Sequence, residues 1–269
     1  MELNLQDQKV IVTAGAQGIG LAITETFIKA GAQVHVCDIN EAFLADARAR
    51  LAGAAVSFSR TDVARPEEVD AMFADLASHW DGRLDVLVNN AGIAGPTLPV
   101  EDIAPAEWDQ TIAINLTGPF LCTRRAVPML KQNGGGAIIN ISSVAGRLGF
   151  ALRTPYSASK YGVIGLTETW AIELGPSNIR VNAVLPGIVE GPRQERIVAA
   201  KAAAYGIEHE EMRARLLSKV SLRRMVSAQD IANQILFLCS PAGAAIVCHG
   251  AVASSTAISC RARSWSMKR

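Results

Sequence analysis

Short apolar runs alternate along this chain with longer segments whose apolar residues recur at helical spacing. The run 84–88 contains three consecutive apolar residues, Val86, Leu87 and Val88, which is typical of a buried strand. The predicted strands are 9–13, 33–37, 55–58, 84–88, 136–141 and 179–184. The predicted helices are 20–30, 41–51, 66–80, 108–130, 156–174 and 231–238. This alternation predicts an α/β fold, a doubly wound parallel Rossmann sheet in a three-layer α/β/α arrangement.

Composition limits the function classes that fit this chain. Its 269 residues are 49% hydrophobic, enough to bury one large core, and a formal net charge of +1 gives no reason to expect a nucleic-acid partner. Residues 1–7 do not resemble a signal peptide, and no apolar stretch approaches the ~18 residues that span a bilayer, so we expect no membrane association. The cysteines show neither metal spacing nor an even disulfide set, and the histidines are scattered. We expect a cytoplasmic protein with reduced thiols and no metal.

A glycine-rich turn links the first predicted strand to the first predicted helix. It reads Thr13-Ala14-Gly15-Ala16-Gln17-Gly18-Ile19-Gly20. Glycines there let the backbone approach a pyrophosphate, and the helix N-terminus offers free N–H groups. The turn therefore predicts a dinucleotide site.

Asp38 follows the second predicted strand, 18 positions beyond Gly20. A carboxylate at this place hydrogen-bonds the adenosine ribose hydroxyls and repels a 2′-phosphate, which favours NAD over NADP. The alternative interpretation is that Asp38 caps the helix that follows.

Tyr156 and Lys160 are spaced i and i+4, on one face of a predicted helix. A free phenol has a pKa near ~10, and a neighbouring ammonium favours the phenolate that a base at neutral pH requires. The alternative is a half-buried Tyr beside a solvated Lys. Ser142 and Ser143 end the preceding strand, where their hydroxyls hold a carbonyl oxygen or merely cap a turn.

In their order, these motifs resemble those of the classical short-chain dehydrogenase/reductase family, over roughly residues 5–240. The matching motifs are Thr13–Gly20, Asp62-Val63, Asn89-Asn90-Ala91-Gly92, Asn115, Ser143, Tyr156/Lys160 and Pro186-Gly187. Ser143 lies 13 positions before Tyr156, which is the family's usual interval and selects Ser143 over Ser142.

The resemblance implies a catalytic tetrad of Asn115, Ser143, Tyr156 and Lys160. Tyr156 would exchange a proton with the substrate oxygen, and Lys160 would make its phenol more acidic and bind the nicotinamide ribose. Ser143 would hold the substrate oxygen, and Asn115 would hold a water that links Lys160 to solvent. The implied NAD-binding residues are Gly15, Gln17, Gly18, Ile19, Gly20, Asp38, Asp62, Val63, Asn89, Ala91, Gly92, Tyr156, Lys160, Pro186, Gly187 and Ile188. A homodimer or homotetramer is implied, built on the helices that carry Asn115 and Tyr156.

Three departures from the family pattern affect these expectations. Ala14 replaces the usual first glycine, and we expect its methyl group to be tolerated if its φ is negative. Gly191 stands where the family often has a Thr that contacts the nicotinamide carboxamide. Main-chain groups at Ile188 are expected to make that contact instead. Residues 242–269 lack the family's last strand, which indicates a divergent terminus or an altered reading frame and puts the usual tetramer in doubt.

The whole chain, 1–269, is predicted to form a single dinucleotide-binding catalytic domain, with an atypical tail at 242–269. A polar, Ala- and Glu-rich stretch at 193–219 predicts one or two helices over the ligand crevice, as a lid. The alternative is an ordinary pair of surface helices.

Arg153 and Arg193 are the candidate substrate-binding cations, together with the polar groups of Ser143 and Tyr156. Arg153 lies three residues before Tyr156, where related 3-hydroxybutyrate dehydrogenases carry a Lys that binds the substrate carboxylate. A guanidinium suits a planar anion, which indicates a hydroxy acid or a sugar acid. The alternative is a solvated Arg on an exposed loop.

Three functions are compatible with the sequence. The first is an NAD-dependent dehydrogenase that moves a hydride between the cofactor and a secondary alcohol or ketone. The second is a 3-oxoacyl-thioester reductase, which commonly uses NADPH and so fits Asp38 poorly. The third is an inactive nucleotide-binding regulatory protein. The intact set of Asn115, Ser143, Tyr156 and Lys160 argues against this third function.

Overall fold

A parallel β-sheet runs through the middle of the computed structural model, which describes residues 3–247 and 253–254. The strands of this described part are β1 (Lys9–Thr13), β2 (Gln33–Asp38), β3 (Val56–Arg60), β4 (Val86–Asn89), β5 (Gly136–Ile141), β6 (Ile179–Leu185) and β7 (Ala253–Ser254). They lie in the order β3-β2-β1-β4-β5-β6-β7, and each neighbouring pair is parallel. The direction of winding therefore reverses between β1 and β4, which opens a ligand crevice at the carboxyl ends of these strands.

Helices connect the strands and cover both faces of the sheet. The helices of the described residues are α1 (Gly18–Lys29), α2 (Glu41–Arg50), α3 (Pro66–His79), α4 (Pro105–Ile112), α5 (Gly118–Gln132), α6 (Thr154–Leu174), α7 (Pro192–Tyr205), α8 (His209–Leu217) and α9 (Ala228–Cys239). One π-helical turn, Ala113–Thr117, joins α4 to α5. None of the helices within residues 3–247 combines the length and the apolar character that a membrane span needs.

Successive residues of β1 show how the sheet is buried on both sides. Val10 packs into a hydrophobic cluster with Phe27 of α1, whereas Ile11 packs into a second cluster with Phe73 of α3. Alternation of side chains along a strand sends neighbours to opposite faces. Both faces are therefore apolar, as the predicted parallel sheet requires.

The predicted α/β fold is confirmed, with differences at particular elements. The predicted helix 108–130 is divided by the π-helical turn, and α1 begins two residues before its predicted start. Strand β7 was not predicted, since two residues are too few to show a strand pattern. The stretch 193–219 forms two helices, α7 and α8. Most of the predicted atypical tail, 242–269, lies outside the described residues.

Candidate active site

The glycine-rich turn lies at the crevice between β1 and β4 and leads directly into α1. Its backbone is fixed from β4, because the Asn90 side-chain amide donates to the carbonyl oxygens of Thr13 (2.9 Å) and Ala14 (3.0 Å). A β-carbon at Gly20 would lie 2.1 Å from the Ala14 oxygen, so only glycine lets the helix approach the turn this closely. The free N–H groups of the first α1 turn consequently face the crevice opening.

Ala14 has a φ of +49°, in the left-handed region that favours glycine. The condition under which its methyl group was expected to be tolerated, a negative φ, is therefore not met. The backbone of the turn has the conformation that glycine adopts easily, and the alanine at this position is therefore strained.

Asp38 ends β2 beside this turn and is 5% exposed. One carboxylate oxygen accepts from the Asn40 N–H (3.1 Å), while the other, Oδ2, is buried and has no partner. Burial raises the pKa of the Asp38 carboxyl. The helix-cap alternative is wrong, because the Asn40 side chain accepts from the first N–H groups of α2 instead.

Asp62 and Val63 follow the neighbouring strand end. The register pairs Asp38 with Arg60, and the N–H of Thr61 donates to the Asp38 carbonyl oxygen (3.0 Å). Val63 is buried, and Asp62 accepts from the N–H of Ala64 (2.9 Å). Both residues therefore lie at the same end of the sheet as Asp38.

Asn115 lies in the π-helical turn and is fully buried. It accepts from the Ile93 N–H (2.8 Å) and donates to the Ile93 carbonyl (3.0 Å) and to Ser159 Oγ (3.1 Å). The Ser159 hydroxyl donates in turn to the Tyr156 carbonyl (2.8 Å). Asn115 thus joins the loop after β4 to the first turn of α6, and the local unwinding that points it there is a frequent feature of functional sites.

Lys160 is 4% exposed and extends towards the end of β5, where its ammonium donates to the Ile141 carbonyl (2.7 Å). Its Nζ lies 5.8 Å from the Tyr156 ring centroid and would be 3.5 Å from a β-carbon placed at Gly92. Burial, and after it the charge of Arg193, lowers the pKa of Lys160 to about 7. The solvated-Lys alternative is wrong, because this side chain is buried at the crevice.

The two serines after β5 face different ways. Ser142 Oγ donates to the Lys160 carbonyl (2.8 Å), a bond that connects the end of β5 to α6. Ser143 Oγ accepts from the Ala145 N–H (3.1 Å) and, with Tyr156, lines a cavity of about 480 Å³. We call this space the substrate cavity. Gly187 and Ile188 also line it, and Pro186 accepts from Val144 at its rim.

Helices α7 and α8 form the opposite wall of the substrate cavity. Val198 and Ala202 of α7 pack on Met212 of α8 in a small hydrophobic cluster of their own. Residues from both helices, among them Ile197 and Leu216, face Ser143 and Tyr156 across the cavity. Residues of 193–219 thus form one wall of this cavity, and their role as a lid stays a prediction.

Arg153 is the largest fully buried side chain among the described residues, at 1% exposed. One guanidinium nitrogen, Nη2, donates to the Ala94 carbonyl (2.7 Å), and Nε and Nη1 have no partner. Its Cζ lies 4.8 Å from the Tyr156 ring centroid. The exposed-loop alternative is wrong: Arg153 lines the substrate cavity beside Tyr156.

Two residues, Arg193 and Asn89, do not lie where the sequence predicted them. Arg193, at the start of α7, is exposed, and it donates to the Gly92 carbonyl (3.0 Å) in a neighbouring depression that Gln17 also lines. It therefore faces the crevice rather than the wall of the substrate cavity. The Asn89 side chain points into the core, where its amide donates to Thr123 and Asn140, so it does not join Ala91 and Gly92 at the crevice.

Sequence reasoning missed Asn90, Phe150 and Lys201. Asn90 belongs to the motif Asn89–Gly92, but the sequence does not show that its side chain fixes the glycine turn through two hydrogen bonds. Phe150 and Lys201 meet across the substrate cavity, with Lys201 Nζ 3.9 Å from the ring centroid, from parts of the chain that carry no common pattern.

Comparison with known sequences agrees with this geometry. A family profile described as enoyl-(acyl carrier protein) reductase matches residues 13–253. The probable galactose dehydrogenase GalD of Rhizobium meliloti (strain 1021) is 37% identical over 246 residues, 90% of this chain and 92% of that protein. Cis-4-hydroxycyclohexanecarboxylate dehydrogenase of Sinomonas cyclohexanicum is 37% identical over 242 residues, with 90% and 92% covered. The 3-oxoacyl-acyl-carrier-protein reductase FabG of Thermotoga maritima is 37% identical over 240 residues, with 88% and 92% covered.

Solved structures of dehydrogenases and reductases share the fold. NAD+-bound xylitol dehydrogenase superposes with a TM-score of 0.88 at 28% identity, covering 93% of this chain and 98% of that one. A variant of actinorhodin polyketide ketoreductase with NADPH superposes with a TM-score of 0.86 at 32% identity, covering 92% and 95%. The relatives are oxidoreductases and these two structural neighbours bind nicotinamide cofactors. This chain belongs to the short-chain dehydrogenase/reductase family.

Proposed function

We propose that this protein is an NAD-dependent dehydrogenase that interconverts a secondary alcohol and its ketone, with a small hydroxy acid or sugar acid as substrate. One observation carries the proposal. Ser143 and Tyr156 line a single cavity, and the buried ammonium of Lys160 lies beside the Tyr156 ring at the adjoining crevice.

The residues at the crevice fit a dinucleotide. The buried, unpartnered Oδ2 of Asp38 is an acceptor suited to ribose hydroxyls, and its negative charge disfavours a 2′-phosphate. The N-terminus of α1 suits a pyrophosphate, and Ala91, Gly92 and Lys160 lie farther along the same crevice. The remaining predicted contacts, Gly15, Ile19 and the 186–188 segment among them, border the same strand ends. A nicotinamide bound there would supply the hydride acceptor or donor.

Tyr156 is the acid/base in this proposal. When an alcohol is oxidised, its hydroxyl proton passes to the Tyr156 oxygen, and when a ketone is reduced the phenol returns a proton to the carbonyl oxygen. The Ser143 hydroxyl holds the same oxygen from the other side of the site. The Ser143 Oγ accepts a hydrogen bond from the N–H of Ala145, and its own O–H is left to donate to the substrate oxygen.

Lys160 and Asn115 support that proton transfer. The Lys160 ammonium stabilises negative charge on Tyr156, and because its pKa is near 7 it also releases a proton near neutral pH. Asn115, bonded to Ile93 and Ser159, holds the loop and the α6 turn in register around Lys160.

Arg153 supports an acidic substrate. Its Nε and Nη1 are buried without a partner, and a guanidinium left so is costly unless a ligand completes its bonds. A carboxylate matches its planar, two-pronged geometry. The relative from Sinomonas cyclohexanicum is named for a hydroxy acid, which agrees with this assignment.

Self-association is part of the proposal, as a homodimer or homotetramer through α5 and α6. Phe120 of α5 and both Tyr161 and Ile172 of α6 are large apolar residues with exposed side chains. A partner copy covering them would bury that surface.

The test is a panel of secondary alcohols, sugars, hydroxy acids and sugar acids, assayed with NAD and with NADP. We expect NAD to be preferred and the acids to be better substrates than neutral alcohols of equal size. Arg153→Met should raise KM for an acid about a hundredfold while changing KM for a neutral alcohol little, and Arg153→Lys should retain part of the acid affinity.

The other outcomes separate the alternatives. Equal KM effects of Arg153→Met on acidic and neutral substrates refute the anion site. A preference for NADPH together with an oxoacyl thioester indicates the thioester reductase. NAD binding without turnover across the panel indicates the inactive regulatory protein.

A further inference from the structure

Four cationic side chains line the substrate cavity: Arg153, Lys201, Arg215 and Lys219. No Asp or Glu lines it among the residues that the structure describes. Arg215 and Lys219 are exposed, and Arg215 is paired with Glu211 (2.6 Å). Arg153 and Lys201 differ from them, because both are buried.

Lys201 reaches the cavity from the lid helix α7 and is 4% exposed. Its Nζ donates to the Ala151 carbonyl (3.3 Å) and lies 3.9 Å from the centroid of the Phe150 ring. The Cζ of Arg153 lies 5.8 Å from that same centroid. Within residues 3–247, neither cation forms an ion pair. Burial first, and then the charges of Arg153 and Lys219, lower the pKa of Lys201 to about 8.

Two like charges held around one aromatic ring, away from bulk water, repel each other and have lost hydration. A ligand with a single carboxylate completes the bonds of Arg153 and leaves Lys201 without an anion. A ligand with two anionic groups compensates both cations, and it ties α7 to the wall that carries Arg153.

We propose that the substrate is a dianion, a hydroxy acid with a second anionic group, and that Lys201 of α7 is the specificity-determining residue that binds this second group. The inference deepens the proposed function and rests on it for the position of the first carboxylate at Arg153. The competing interpretation is that Lys201 only latches the lid, through the Phe150 ring and the Ala151 carbonyl.

Binding of two unreactive acids separates these interpretations without requiring turnover. Glutarate and butyrate differ by one carboxylate, and their affinities are measured by calorimetry with NAD present. We expect glutarate to bind about tenfold more tightly than butyrate. Lys201→Met, which keeps the length of the apolar stem, should weaken glutarate about tenfold and butyrate less than about twofold. Lys201→Arg should keep the preference for glutarate.

The matched control is Arg215→Met, which removes a cation that lines the same cavity but is already paired with Glu211. It should change both affinities by less than about twofold. Arg153→Met should weaken both acids. 4-Phosphonobutyrate, which has a phosphonate in place of one carboxylate of glutarate, shows whether the second group is a carboxylate or a phosphoryl group, and tighter binding of either dianion than of butyrate supports the proposal.

Equal affinity for butyrate and for both dianions, glutarate and 4-phosphonobutyrate, in the unaltered protein overturns the proposal. So does an equal loss for both acids in Lys201→Met, with a lowered Tm, which is the result a latch predicts. The two levels of inference fail separately: selective glutarate binding without any turnover refutes the enzyme and keeps the dianion site. Turnover of neutral alcohols with no preference for either dianion supports the enzyme and refutes the dianion site.

Discussion

The turn after β1 brings main-chain groups to the crevice, whereas side chains from distant elements meet at the substrate cavity. At the crevice, Asn90 fixes the turn after β1 through carbonyl oxygens, and α1 presents its N–H groups. At the cavity, Arg153 and Phe150 from the irregular segment before α6 meet Lys201 from α7. The crevice therefore depends mainly on backbone geometry, and the cavity depends on the identity of particular side chains.

The polar groups of the two regions differ in the same way. At the crevice, the buried acceptor Asp38 Oδ2 has no partner, while the carbonyl oxygens of the turn after β1 accept from Asn90. The cavity has the unpartnered nitrogens of Arg153 and a second buried cation, Lys201. The cavity thus holds two buried cations, and one of them, Arg153, has two nitrogen atoms without a protein partner. Changes at the crevice should alter the choice of coenzyme or the stability of the fold, and changes at the cavity should alter the choice of substrate.

Asp38 gives the largest expected effect on coenzyme choice. Asp38→Asn should lower the ratio of kcat/KM for NAD to that for NADP about a hundredfold, because in the proposed binding mode it removes the negative charge that repels a 2′-phosphate. Steady-state kinetics with both coenzymes measure the ratio. Glu41→Gln, nearby at the start of α2 and exposed, is the control and should leave it unchanged. An unchanged ratio in Asp38→Asn would mean that this carboxylate does not face the coenzyme.

A smaller effect is expected at Lys160, where a substitution should change how the free energy of unfolding depends on pH. Its pKa falls from the ordinary 10.5 to about 7, so above that pH the native protein has released a proton that the unfolded chain still binds. Stability therefore rises with pH through this window, by up to about 1.4 kcal/mol per pH unit from this group. Lys160→Met should remove that rise, seen as the difference in urea unfolding between about pH 7 and about pH 8.5. The same slope in both proteins would show that Lys160 stays charged.

Ala14 gives the smallest effect. Its φ of +49° suits glycine, so Ala14→Gly should raise the free energy of unfolding by about 1 kcal/mol or less. Thermal melts detect this as a higher Tm. Ala16→Gly, in the same turn but without a positive φ, is the control and should lower the Tm. A lower Tm in Ala14→Gly would indicate that the methyl contacts outweigh the backbone strain.

The crevice was predictable because each of its parts leaves a local mark in the sequence. The strand β1 is a run of apolar residues, the glycines follow it directly, and Asp38 ends the next strand. Parallel strands bring these ends together at one edge of the sheet, so local patterns suffice.

The cavity was only partly predictable. Arg153 was found through its distance from Tyr156, but its burial depends on packing against Ala94 and Phe150. Lys201 lies in a polar, Ala-rich helix that has no pattern to single it out. The π-helical turn at Asn115 was missed because helical periodicity does not show one extra residue in a turn.

The most direct test of the account is single-turnover hydride transfer in the unaltered protein and in Tyr156→Phe, with NAD affinity measured in both. The phenylalanine keeps the ring that Arg153 and Lys160 contact and removes only the hydroxyl. We predict that the rate of hydride transfer falls about a thousandfold while the NAD affinity changes less than about threefold. Retention of the rate in Tyr156→Phe would contradict the account, because the acid/base would then be another group.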